Sequence, residues 1–218
     1  MRPLLALILA TGLAVPAGAG SIRGTVRVPA VQSQDVTFHP YAGRASSLPA
    51  PARPPRGLVT DAVVYLESLP AGASSDTLTK APPRLAQRSQ AFDPRVVVVS
   101  VGSKVEFPNL DPIYHNVFSV SPTKRFDLGK YPRGQSRTVE FTKPGLVNVY
   151  CDIHSDMTAF ILVVPNRAWA RPGPDGRFEL RKLPPGRYQL TWWHPDFRGD
   201  HTSVEVPVAG DVTQDVNF

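Results

Sequence analysis

The chain has 218 residues, 42% of them hydrophobic, with 24 lysines and arginines against 18 acidic residues and a formal charge of +6. This is apolar material enough for one large or two small domains, and a mild basic excess without a Lys/Arg block gives nucleic-acid binding little support. The single cysteine, Cys151, excludes an internal disulfide.

Residues 1–19 read as a secretory signal. Arg2 is the charged start, Leu4 to Val15 the apolar core, and Ala17-Gly18-Ala19 a small-residue cleavage site. The apolar run is too short for a membrane span. An exported, periplasmic protein with no span in its mature part is expected. The first mature strand is Ser21 to Val28, with Ile22, Val26 and Val28 on one face. Pro29 to Gly57 is rich in Pro, Ala, Ser and Arg, and its Pro49 to Arg56 run is unsuited to a sheet interior, so an extended surface loop is expected. Asp61 to Glu67 reads as a second strand, and Pro70 to Arg84 as a further loop.

Strands are then expected over Arg84 to Phe92, Val96 to Val101, Lys104 to Asn109 and Tyr114 to Val120. Ser121 to Ser136 reads as a polar connection. Arg137 to Phe141 alternates with Val139 and Phe141 inward. Leu146 to Tyr150 places Val147, Val149 and Cys151 on one face, and Ala159 to Val164 is the apolar return. Pro172 to Gly176 is a turn cluster. Later strands carry Phe178 and Leu180, then Arg187 to His194, then Val204 to Val208, and the chain ends over Val212 to Phe218. No amphipathic helix is evident. Two lone strands such as 21–28 and 61–67 make no stable sheet by themselves, so they are expected to close on the strands that follow residue 166.

The candidate chemistry lies between two apolar strands, in Cys151-Asp152-Ile153-His154-Ser155-Asp156-Met157. Apart from Met1, Met157 is the only methionine. A thiolate, an imidazole and a thioether in one short loop suit copper, and His115 is the candidate for the second imidazole of a His2Cys plane with a weak axial Met. A free exposed thiol would be open to oxidation outside the cell, and metal capture removes that hazard. Zinc also takes Cys and His but has no call for Met. A buried, inert cysteine is the bland alternative. A binuclear copper site lacks a second cysteine, and a multicopper oxidase lacks the histidines: only His39, His194 and His201 remain, each read as a surface or turn residue. No phosphate loop or nucleophile–base pair is evident, so no enzymatic activity is expected.

Ala91 to Pro94, Val99 to Phe107, Asn109-Leu110-Asp111, His115-Asn116-Val117 and Tyr150-Cys151 resemble the cupredoxins, meaning plastocyanin, pseudoazurin and amicyanin. The likeness covers roughly residues 84–165, and the short ligand loop is most similar to that of amicyanin. It implies one type 1 copper ion held by His115, Cys151, His154 and Met157. It further implies a Greek-key β-sandwich and one-electron transfer with a redox partner protein, a cytochrome or an oxidoreductase. In such proteins Asn116 would tie the His115 strand to the cysteine loop. The edge of His154 would be the electron port, with Pro112, Ile113 and Ile153 as its apolar collar. Asp152 and Asp156 depart from that pattern and are expected to lower the reduction potential and to favour a locally positive partner. Asp175 to Phe178 followed by Leu183 to Tyr188 resembles the transthyretin-like, carboxypeptidase-regulatory β-sandwich. The expectation is thus all-β: residues 20–68 and 166–218 form one split sandwich, and 84–165 form a copper domain inserted in it or beside it. The combination is similar to exported bacterial proteins of the methylamine-utilisation type. Two other functions stand beside electron carrier: copper binding or delivery, and a β-sandwich binding or scaffold module.

Overall fold

The computed structural model describes residues 19–30, 56–70, 82–208 and 210–218. Most of the expected signal (1–18), the proline-rich stretch with His39 (31–55) and much of the second loop (71–81) lie outside the described residues. What is described is all-β, apart from one 3-10 turn at Val59–Asp61. No described helix is long and apolar enough to cross a membrane.

Two sets of strands bury two separate cores. The first set is β3 (Ala86–Arg88), β4 (Ala91–Asp93), β5 (Val96–Ser100), β6 (Ser103–Pro108), β7 (His115–Ser121), β8 (Lys124–Tyr131), β9 (Ser136–Phe141), β10 (Gly145–Tyr150) and β11 (Thr158–Val164). One layer is a five-stranded sheet in the order β5-β11-β10-β7-β8, with β5 and β11 parallel and the other pairs antiparallel. The β6-β9 pair forms the opposing layer, and the β3-β4 hairpin joins it through bridges from Arg84 to Glu106 and from Gln87 to Asn109. Strand period two explains the filling: Val97 and Val99, Val105 and Phe107, Val139 and Phe141, Val147 and Val149, and Ile161 and Val163 all enter one core. Each fully buried aliphatic side chain contributes about 1.5–3 kcal/mol.

The second set joins the two ends of the described chain. β1 (Gly20–Arg27) lies beside β13 (Arg177–Leu183) and runs parallel to β16 (Val212–Thr213) and β17 (Val216–Asn217). β2 (Val63–Leu66) lies between β12 (Trp169–Ala170) and β14 (Gly186–Trp193), and β15 (Asp200–Val206) completes that sheet. Their shared core holds Ile22, Val26, Val64, Leu66, Phe178, Leu180, Leu190, Trp192 and Val204. Between the two sets is a third apolar cluster of Val63, Val96, Val98, Leu162 and Val164, with Tyr65, Phe160, Trp169 and Trp193 packed against it. It forms because β5 and β11 carry valines and leucines on both faces, as strands covered on both sides do.

Four local expectations are corrected. Ser121 to Ser136 is not merely a connection, because it contains β8. Phe126, Leu128 and Tyr131 reach the core while the rest of this edge strand meets solvent, so its composition reads as polar. Arg84 to Phe92 is not one strand but the β3-β4 hairpin, turned by Ser89 and Gln90 at φ 53° and 57° without the usual Asn or Gly. The strand expected from Asp61 starts only at Val63, after the 3-10 turn. His194 is not a surface residue: it is buried, with Nε2–H donated to the Leu58 carbonyl and Nδ1 accepting from the Asp196 N–H.

Candidate metal centre

The centre lies at one end of the first core. β7 begins at His115, on the core-facing side with Val117 and Ser119. β10 ends at Tyr150, so strand alternation turns Cys151 inward, beside Val147 and Val149. The loop then bends on itself, with the Met157 N–H donating to the His154 carbonyl, before β11 returns. Tyr150, one position earlier, faces the other side of the sheet against the Phe118 ring, 5.8 Å away.

Cys151 Sγ lies 4.0 Å from His115 Nδ1 and 3.8 Å from His154 Nδ1, and the two Nδ1 atoms are 3.1 Å apart. Those separations are short enough for one metal ion to reach all three atoms through bonds of about 2.0–2.3 Å. Among the described residues this is the one group of His, Cys, Asp or Glu that meets the spacing of a metal site. His115 is 0% exposed, Cys151 5% and Met157 1%, while His154 is half-buried. Met157 shares the core cluster of Cys151. Two imidazoles, a thiol and a nearby thioether are the donor types that suit copper better than zinc.

Sequence reasoning missed the role of Asp111. His115 Nε2 lies 2.8 Å from Asp111 Oδ2. A carboxylate only accepts, so Nε2 carries the proton and Nδ1 turns its lone pair toward Cys151 and His154. A metal held here would take the imidazoles as neutral ligands and the sulfur as a thiolate. Asp111 is itself held by N–H donors from Ser89 (2.5 Å) and Gln90 (2.8 Å), the turn of the β3-β4 hairpin. Burial pushes its carboxyl up, but the Gln90, His115 and Ser89 bonds outweigh that and hold it below the usual range. Burial pushes the His154 imidazole down, neighbouring His115 adds to this, and Asp111 opposes it. Asn109 completes the bracket: its Oδ1 accepts from the Asp111 N–H, and its Nδ2 donates to the carbonyls of Ile113 and Tyr131. The one signal in the chain was a carboxylate four residues before His115.

Asn116 is where the structure departs from the expected ligand bracing. Its Nδ2 donates to Asp127 Oδ1 across to β8, at 2.7 Å, rather than to the cysteine loop, and its buried Oδ1 has no partner among the described residues. The cause is register: Asn116 lies opposite Lys130 beside a β-bulge, which brings Asp127 within reach. The proposed port residues Pro112, Ile113, Asp152, Ile153 and Asp156 are all exposed, Ile113 and Ile153 at 38% and 41%. Lys130 lies 3.9 Å from Asp152, a cation brought there by β8 and without a local signal in the chain.

No family model matches the chain, and no curated protein does. Solved structures similar to part of it include a copper nitrite reductase, amicyanin and a purple cupredoxin. A Cu-containing nitrite reductase from Thermus scotoductus SA-01 is 27% identical over 43% of this chain, with a TM-score of 0.37. The match spans a quarter (25%) of that reductase chain. The Cu(I) form of an amicyanin mutant is 17% identical over 47% of this chain and 98% of its own, with a TM-score of 0.36. A purple cupredoxin from Nitrosopumilus maritimus is 19% identical over 37% of this chain and 98% of its own, with a TM-score of 0.34. Likeness at this level decides nothing about activity, which rests on the donor geometry.

Proposed function

We propose that the protein is a mononuclear type 1 copper protein that passes one electron between redox partners. The observation that carries this is the convergence of His115 Nδ1, His154 Nδ1 and Cys151 Sγ within 3.1 to 4.0 Å of one another, with Met157 buried in the same cluster as the candidate fourth donor. Copper bound there supplies a one-electron couple. The chain supplies geometry: Asp111 fixes the His115 ring, the β10–β11 loop fixes the other three donors, and the dense core around them resists rearrangement. Burial of His115, Cys151 and Met157 favours a retained ion over a delivered one, since release would require opening the core. His154, half-buried and next in the chain to the exposed Ile153, is the side through which an electron partner approaches. The role is that of a carrier, not an enzyme.

The same reading takes residues 84–165 as the copper domain. Residues 20–68 and 166–218 form one transthyretin-like sandwich closed from both ends, and 1–19 direct export to the periplasm. The deciding experiment is the visible spectrum of the protein loaded with Cu2+, beside that of Cys151→Ser. An intense thiolate-to-copper band present in the first and absent in the second, with reversible one-electron voltammetry, is expected. Binding without that band, or copper surrendered at once to a mild chelator, points to delivery. Full function in Cys151→Ser points to a scaffold.

A further inference from the structure

The join between the two sets of strands has the composition of an interior. Val63, Val96, Val98, Leu162 and Val164 are all buried in it, and the Phe160 and Trp193 rings meet edge-on at 5.9 Å. At its border Arg95, from the β4–β5 link, forks onto Asp196 with bonds of 2.7 and 2.6 Å and lies over the Phe160 ring. Arg171 crosses in the other direction, donating to the Val96 and Thr60 carbonyls. The chain itself crosses at a braced corner. Asn166, between β11 and β12, donates to the Leu66 carbonyl and accepts on its own carbonyl from Ser100 Oγ. Domains joined by small polar interfaces move independently; those sharing a dry apolar seam do not. A gap opened here would expose the valines and leave Arg95 and Asp196 as unpaired buried charges.

We propose that the two sandwiches unfold as one cooperative unit, so that filling the His115–Cys151–His154 site stabilises the other sandwich as well. The linkage to metal rests on the copper reading above; the cooperativity does not. The chain provides its own reporters. All three tryptophans, Trp169, Trp192 and Trp193, lie in the second sandwich or its seam, and every candidate ligand lies in the first. A ligand that binds only the folded state raises the stability of everything that melts with it.

The test heats the full chain, metal-free and with one equivalent of Cu2+, while following tryptophan emission and the visible thiolate–copper band. Coincident midpoints, with the tryptophan midpoint raised several degrees by Cu2+, are expected. Separate midpoints, or a tryptophan midpoint unmoved while the band shows bound metal, overturn the proposal. If no band forms, the copper reading fails. Cooperativity is then judged on the metal-free protein by Val147→Ala, which trims the first core alone. Should that variant not fold, the shallower Val139→Ala takes its place. A lowered tryptophan midpoint supports one unit, and an unchanged midpoint overturns it. Arg95→Met is expected to separate the two transitions.

Discussion

Asp111 shows how one side chain links folding to site chemistry. It sets the His115 tautomer and closes the Ser89-Gln90 turn with the same carboxylate. Asp111→Asn presents an amide donor where a carboxylate accepted and removes the preference for Nδ1 as the free nitrogen. Metal affinity is expected to fall about 10–100-fold, read by competition with a chelator, with a loss of about 1.5–3 kcal/mol in folding stability from the charge-assisted bonds. Unchanged affinity would remove Asp111 from the site. Asp152 and Asp156 are both exposed, so an influence of theirs on the site would run through their field. With Lys130 beside Asp152, Asp156→Asn is expected to raise the reduction potential more than Asp152→Asn, by voltammetry at low salt. No shift in either variant would discard a role for the acidic pair, and equal shifts would discard the effect of Lys130.

At the scale of elements, two backbone sites carry opposite predictions. Gln90 holds a left-handed conformation at φ 57°, which costs a residue with a Cβ about 1–2 kcal/mol. Gln90→Gly is expected to stabilise the β3-β4 hairpin by about 1 kcal/mol in urea unfolding, because Asp111 bonds the backbone N–H and not the side chain. Gly24, in β1, faces the Gln214 carbonyl where the C-terminal strands run alongside, and a Cβ there overlaps that oxygen. Gly24→Ala is expected to lower stability by about 1–3 kcal/mol. Asp215 reinforces this pairing by accepting from the Thr25 N–H, and Asp211 by accepting from the Ser21 N–H and hydroxyl. The β8 strand escaped detection in the sequence because an edge strand needs only its inward residues to be apolar.

For the whole molecule, the seam predicts a dependence on acid. Burial pushes the Asp196 carboxyl up, but the Arg95 fork and the Gly57 N–H outweigh it and hold it at about 2. Its value in the folded state is thus below the ordinary 3.8. The stabilisation it gives is fully present above that ordinary value and lost as pH falls toward about 2. Asp61 runs the other way: burial raises it despite Arg171 and Arg95, so its protonation relieves the seam in part. The difference in melting midpoint between the parent and Asp196→Asn should be largest above pH about 4 and shrink toward pH about 2. At neutral pH the variant should lose about 3 kcal/mol, the cost of stranding Arg95. A difference that does not vary with pH would show that the pair gives no charge-dependent stability.

The sequence by itself determined the all-β class and most of the inward-facing positions, since alternation records which side of a strand is dry. It also singled out Cys151 and His154, two of the three side chains that the structure brings together, because a lone cysteine and a histidine stood within one loop. Only the tertiary structure decided that His115 comes within reach of that loop, since their separation in the chain closes through strand pairing that no local pattern encodes. The Asp111 bond, the Asn116 bond to Asp127 and the ion pairs of Arg95 were hidden for the same reason. A charged side chain in a sequence looks solvated until the fold supplies its buried partner.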